Sequence, residues 1–267
     1  MPFNVVIVVG LKMLRRLIVV LCFALPISCV KILDSIDAEE ETKLNATDDA
    51  KSNDELFGIY LERGNSRQQV GDLRGAEKDY TLAIEIKSEE YIAFYNRGLV
   101  RYSLGKHKGA ERDFSRAIEI QPEDTDSLIY RGLARQALNK PRGAVEDFSL
   151  VLKLKPEDKF AWVSRGIVYF QMKQHLNAIK DYTSALRLDS LYGLAYYNRG
   201  NVYFVMKDYS KAIRDFSHAI QIDPDNIEAY TSRGIAKRES GDLQGSIKDH
   251  SQALQLRRAK TQNEIKD

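Results

Sequence analysis

Residues 193–226 read GLAYYNRGNVYFVMKDYSKAIRDFSHAIQIDPDN, and the pair Arg199-Gly200 inside them is where the fold becomes legible. The same pair returns every 34 residues, as Arg63-Gly64, Arg97-Gly98, Arg131-Gly132, Arg165-Gly166 and Arg233-Gly234. A fixed period of this length marks one supersecondary unit copied in tandem, because so short a unit cannot bury its own apolar face and must stack on its neighbours. Six copies predict an all-α solenoid.

Counting from Phe57 as position 1, the units span 57–90, 91–124, 125–158, 159–192, 193–226 and 227–260. Position 4 holds Tyr60, Phe94, Leu128, Trp162, Tyr196 and Tyr230, and position 24 holds Tyr80, Phe114, Phe148, Tyr182, Phe216 and His250. These are the knobs. The holes are glycine at position 8 and small residues at position 20 (Ala76, Ala110, Ala144, Ala178, Ala212, Ser246) and position 27, which let two helices approach closely. Helix A is expected at positions 2–14 and helix B at 15–28, with Gly71, Gly105, Asn139 and Gly241 at position 15 closing helix A. Pro122, Pro156 and Pro224 at position 32 cannot continue a helix and separate units.

From Phe57 to about Lys260 this pattern resembles the tetratricopeptide repeat (TPR) family. The resemblance implies a right-handed α-solenoid of six 34-residue helix-turn-helix repeats, with helix A lining a concave surface through positions 2, 5, 9 and 12, flanked by asparagines such as those at position 6. A groove for a peptide or helix of a partner protein is then expected at Tyr95, Asn96, Leu99, Tyr102, Phe160, Val163, Phe170, Leu194, Tyr197, Asn198, Asn201 and Phe204. Rings would take side chains and amides would bond a peptide backbone. The alternative for positions 5 and 9 is core between neighbouring units. Family members that grip a C-terminal carboxylate do so with two asparagines and three cations. Here Asn65 and Asn96 match, but Leu61, Asp126 and Tyr130 stand where the cations belong. Binding of Hsp70/Hsp90-type C-terminal tails is therefore not expected.

Arg at position 7 and Asp at position 23 (Asp79, Asp113, Asp147, Asp181, Asp215, Asp249) occur in all six units. A functional site rarely needs six copies, so the pair reads as architecture, a charge-assisted bond between helices. Ser246 and His250 fit a polar terminal cap, and the stretch from Arg257 to Asp267, with residues 261–267 as a C-terminal tail beyond the repeats, is expected to extend helix B over the end. Arg74, Lys78, Lys108, Arg112 and Arg142 share one face with Arg67, Arg101 and Arg135 nearby. That face is either a solvated convex surface or a contact for anionic headgroups.

The chain outside the repeats has a different character. Lys12, Arg15 and Arg16 precede the apolar run Leu17 to Ile27 and then Ser28-Cys29, the order of a secretory signal, so residues 1–30 read as a targeting segment. Its fate is open between lipidation at Cys29, cleavage near Ser28 and retention as an anchor, as is the start at Met1 or Met13. Residues 31–56 carry three Lys against nine Asp and Glu and lack helical period, the composition of a solvated tether. The net charge of +2 over 267 residues gives no reason to expect nucleic acid. Both cysteines, Cys22 and Cys29, lie in the targeting segment. The four histidines are scattered, and the chain has no phosphate loop, HExxH or Gly-x-Ser-x-Gly, so neither enzyme activity, metal nor cofactor is expected. These features together point to an exported scaffold of the cell envelope, periplasm or outside, tethered to a membrane. The alternatives are an anchored receptor facing the cytosol and a structural spacer in a larger assembly.

Overall fold

The computed structural model describes residues 52–264; the targeting segment with Cys29, the tether to residue 51 and residues 265–267 lie outside them. All regular structure in the described residues is helical. In order the helices are α1 (Asn53–Gln69), α2 (Leu73–Ile86), α3 (Tyr91–Ser103), α4 (His107–Ile120), α5 (Thr125–Ala137), α6 (Pro141–Leu154), α7 (Lys159–Gln171), α8 (His175–Leu188), α9 (Gly193–Val205), α10 (Tyr209–Ile222), α11 (Ile227–Glu239) and α12 (Leu243–Glu264). Odd numbers are helices A and even numbers helices B. The first compact unit ends at Leu104 and holds α1–α3; the second begins at Gly105 and holds α4–α12.

The hairpin boundaries differ from expectation by up to two residues. After the first repeat, helix A occupies positions 1–13 and helix B begins at position 17, ending at position 30 in all but the last repeat. The cause is position 15, which is left-handed in every repeat: Gly71, Gly105 and Gly241, but also Asn139 (φ 56°), Lys173 (φ 60°) and Lys207 (φ 62°). That residue must lie outside both helices, and position 16 then caps helix B, as Asp72 does by accepting from Gly75 N and Asp208 from Lys211 N. The first helix also starts early. Ser52 and Glu55 form a reciprocal capping box, so α1 begins inside the stretch read as tether.

The expected knobs and holes meet. A Cβ on Gly64 would sit 2.6 Å from the Tyr80 ring, on Gly132 2.9 Å from Phe148, on Gly166 2.7 Å from Tyr182 and on Gly200 2.8 Å from Phe216. Those four rings are buried together with the alanines of positions 20 and 27. The Arg–Asp pairs are structural, as expected. Arg165 Nε and Nη2 donate to Asp181 at 2.8 and 2.9 Å, Arg199 grips Asp215 at 2.7 and 2.9 Å, and Arg233 grips Asp249 at 2.8 and 2.7 Å. Each arginine has a further role that the sequence did not announce. Its Nη1 reaches back to the hydroxyl at position 25 of the preceding repeat, Arg165 to Ser149 at 2.9 Å, Arg199 to Thr183 at 3.0 Å and Arg233 to Ser217 at 3.0 Å. One guanidinium thereby fixes both the hairpin and the register between hairpins.

The last repeat is not capped as expected. The helix does run on to Glu264. Ser246 is buried, however, and His250 lies over Gly234 with Nδ1 2.9 Å from Ser246 O. The outward residues of α12 are instead Leu243, Ile247 and Leu254, all exposed.

Candidate functional site

In the second compact unit α5, α7, α9 and α11 touch in succession and pack more closely than consecutive helices B, so the helix A side is the inner one. Phe160 and Leu194, both at position 2, are 42% and 47% exposed there. Large apolar side chains this open at equivalent sites of adjacent repeats form a contact surface rather than a core. Phe170, Tyr197, Asn198, Asn201 and Phe204 are half-buried. Their rings rest on helix B: Phe170 lies 5.8 Å from His175, Phe204 5.6 Å from Tyr209 and Tyr197 5.8 Å from Phe216. Tyr197 also reaches Ser232 Oγ at 3.5 Å. Asn198 spends its amide on Leu194 O, whereas Asn201 has no hydrogen-bond partner among the described residues.

Val163 does not belong to this surface. At 1% exposure it is core, packed with Ala178, Tyr182, Ala185 and Val202. Position 5 faces the groove where a tyrosine is long enough to emerge; valine is not.

In the first compact unit, Tyr95, Asn96, Leu99 and Tyr102 are half-buried on α3. Asn96 Nδ2 donates to Asn65 Oδ1 at 3.2 Å, and that same oxygen is 2.8 Å from the Tyr80 hydroxyl, which also lies 2.8 Å from Gln68 Oε1. The amides here therefore serve an internal network. Burial, with the Asp79 charge behind it, pushes the Tyr80 phenol up to about 12.

Tyr182, its counterpart in the fourth repeat, was read from sequence only as a core knob. The positions that hold Asn65 and Gln68 in the first repeat are Ile167 and Phe170 here, and neither can accept a hydrogen bond. The Tyr182 hydroxyl accordingly has no partner among the described residues, although the residue is 1% exposed. Burial and the neighbouring Asp181 push its phenol up still further than that of Tyr80. A neutral donor thus stands unpaired among Ile167 and Phe170.

The basic face contracts on inspection. Arg67 binds Asp79 at 3.0 Å, Arg101 binds Glu77 at 2.9 Å, and Arg135 binds both Asp147 at 2.9 Å and Glu111 at 3.3 Å. These arginines are internal ties. Arg74, Lys78, Lys108, Arg112 and Arg142 remain exposed. Among the described residues no helix is long and apolar enough to cross a membrane, and no cluster of His, Cys, Asp or Glu could hold a metal ion.

The tetratricopeptide repeat family model matches residues 91–124 and 193–226, and a TPR repeat model matches 166–207. No curated protein matches the chain. Among solved structures, a crystal structure of MamA is 27% identical, covering 62% of this chain and 96% of that one, with a TM-score of 0.58. YrrB, described as a TPR protein with an unusual peptide-binding site, is 25% identical over 64% of this chain and 88% of its own, with a TM-score of 0.57. A tetratricopeptide repeat protein from Parabacteroides merdae has a TM-score of 0.68 over 76% of this chain and 80% of its own, at 20% identity, which is a likeness of fold.

Proposed function

Since the chain belongs to the tetratricopeptide repeat family, we propose that it is a non-catalytic scaffold that holds a peptide or helix of a partner protein on the inner face of its helices A. The observation that carries this reading is the exposed pair Phe160 and Leu194 on adjacent repeats, with half-buried Phe170 and Phe204 further along the same two helices. The likeness to YrrB adds support, since that protein is described by its peptide-binding site. The unpaired Asn201 amide, half-buried on the same helix as Leu194 and Phe204, would meet a backbone group of a bound segment. The N-terminal sequence supports export and a membrane tether, with acylated Cys29 as the anchor; a mature N-terminus at Cys29 that carries lipid tests this separately.

The test of the groove is capture of partners from membrane extracts by the wild type, Phe160→Asp and Leu194→Asp. Both side chains are open to solvent, so melting should hardly move while capture falls roughly tenfold or more. Charge reversal of Arg74, Lys108 and Arg112 should leave capture intact. If reversal abolishes capture and the groove variants bind normally, the outer face is the working surface and the proposal fails.

A further inference from the structure

At each internal junction, a helix B offers a fixed set of groups to the helix A that follows. A hydroxyl at position 25 accepts the arginine at position 7, as Ser149 does from Arg165 and Ser217 from Arg233. An apolar side chain at position 28 is covered, leaving Leu152, Leu186 and Ile220 only 7–9% exposed. At the first two junctions position 21 also meets position 11 of the next repeat, as Glu77 meets Arg101 and Glu111 meets Arg135. The last helix B offers the same set with nothing upon it. Ser251 at position 25 has no partner among the described residues, Leu254 at position 28 is 48% exposed, and Ile247 at position 21 and Leu243 at position 17 are open as well. The end of the array is an unoccupied half of its own repeat interface.

We propose that this face of α12 docks α1 of a second copy of the chain, head to tail. Among the described residues α1 is the one helix A that follows no helix B, and its Ser66 and Val70, at positions 10 and 14, are exposed where the inner repeats bury position 10. Charge selects the same pairing and its direction. A helix A runs antiparallel to the helix B it follows, so the N-terminus of α1, with exposed Asp54 and Glu55, comes against the C-terminal part of α12, with exposed Arg257 and Arg258. Two copies of α12 facing each other would bring those arginines together with Lys248 and Lys260, which disfavours a tail-to-tail dimer. Ile59 stands in α1 where four of the five other repeats have alanine, so the incoming helix seats further out than an internal one and the contact is reversible. A heterologous contact of this kind builds rings where its rotation closes and open chains where it does not. This assembly is independent of the groove: it leaves Phe160 and Leu194 unused.

The experiment is sedimentation of the full chain in a neutral detergent across a range of concentrations, at low and high salt. Mass should rise with concentration, and association should weaken with added salt. Leu254→Glu should weaken it roughly tenfold or more without altering the far-ultraviolet circular dichroism, since the side chain is exposed. A photo-crosslinker at residue 254, in a mixture of isotope-labelled and unlabelled chains, should link to residues 53–70 in mixed-isotope products. The proposal is overturned by a chain that stays monomeric throughout, by association that Leu254→Glu leaves unchanged, or by crosslinks that join α12 to α12 or to any surface other than α1.

Discussion

Replacing Gly166 by alanine sets two known effects against each other. Helix propensity alone favours alanine over glycine by up to about 1 kcal/mol. Space opposes it, because the new Cβ falls 2.7 Å from Cε1, 3.0 Å from Cδ1 and 3.1 Å from Cζ of Tyr182, where ordinary contact begins near 3.4 Å. The ring cannot swing clear, since it is buried and packed with Ala178, Ala185 and Val202. Overpacking of this kind costs about 1–3 kcal/mol, so the net change should be destabilising by up to about 2 kcal/mol, or a fall of a few degrees in Tm. Two comparisons isolate the cause. Gly58→Ala, in α1, meets nothing within 4 Å and should stabilise by about 0.5–1 kcal/mol. Made in a Tyr182→Ala background, Gly166→Ala should likewise become stabilising. Thermal unfolding followed by circular dichroism reads the four variants, the Tyr182→Ala parent included, against the wild type. If Gly166→Ala raises Tm in both backgrounds, the knob-into-glycine account of the hairpin is wrong.

Three further outcomes follow from single side chains. Ser127 carries a buried hydroxyl with no partner among the described residues, at a position where four other repeats have alanine, so Ser127→Ala should raise stability by about 1 kcal/mol, measured by urea unfolding. Lys207 holds φ 62°, and Lys207→Gly should stabilise by about 0.5–1 kcal/mol by relieving the left-handed backbone; a lower Tm would mean that the lysine side chain matters more than its backbone. Burial works against ionisation of Glu111, but hydrogen bonds from Lys140 and Arg135 outweigh it and hold the carboxyl below the usual glutamate range. A depressed carboxyl contributes stability that is present above its unfolded value and lost as pH falls through the folded one. Glu111→Gln should therefore be less stable at neutral pH and lose less on acidification, as seen in Tm against pH.

The fold was legible because its determinants repeat. Gly166, Tyr182 and Ala178 each mean little alone, but six copies at one spacing leave a hairpin with a fixed contact as the simplest source. The helix ends were less legible because position 15 admits lysine. Lys173 and Lys207 carry no turn signal, and only the geometry of their neighbours forces them into the left-handed region. Position 25 went unread for a different reason. Serine or threonine stands there without a side-chain partner in the same unit, and the arginine that uses it comes from the next repeat. The groove was half legible. Position 2 is exposed as its period suggests, whereas position 5 depends on side-chain length, which opens Tyr197 to the surface and closes Val163 into the core.

One regularity ties the site to the scaffold. Where position 11 is a long cation, in Arg67, Arg101, Arg135 and Lys237, position 19 is glycine; where it is Tyr169 or Tyr203, position 19 is Asn177 or Lys211. The structure gives the reason. Arg135 crosses directly over Gly143, donating to its carbonyl at 3.1 Å, and a Cβ on Gly75 would come 2.8 Å from Arg67 Cδ. The tyrosines make no such crossing and instead lie beneath cations, Tyr169 under Arg165 and Tyr203 under Lys211. Position 21 varies too, from Glu77 and Glu111 in the first two repeats to apolar Val145, Ile179, Ile213 and Ile247 in the other four, so only the fourth and fifth combine an apolar residue there with a tyrosine at position 11. The two repeats with this altered wiring are the two that open Phe160 and Leu194 on their inner face. An ion-pair lattice needs cations and carboxylates at matched distances, whereas rings and isoleucines tolerate small displacements at little cost. The groove proposed above would sit better on the second kind of junction, which the fourth and fifth repeats supply.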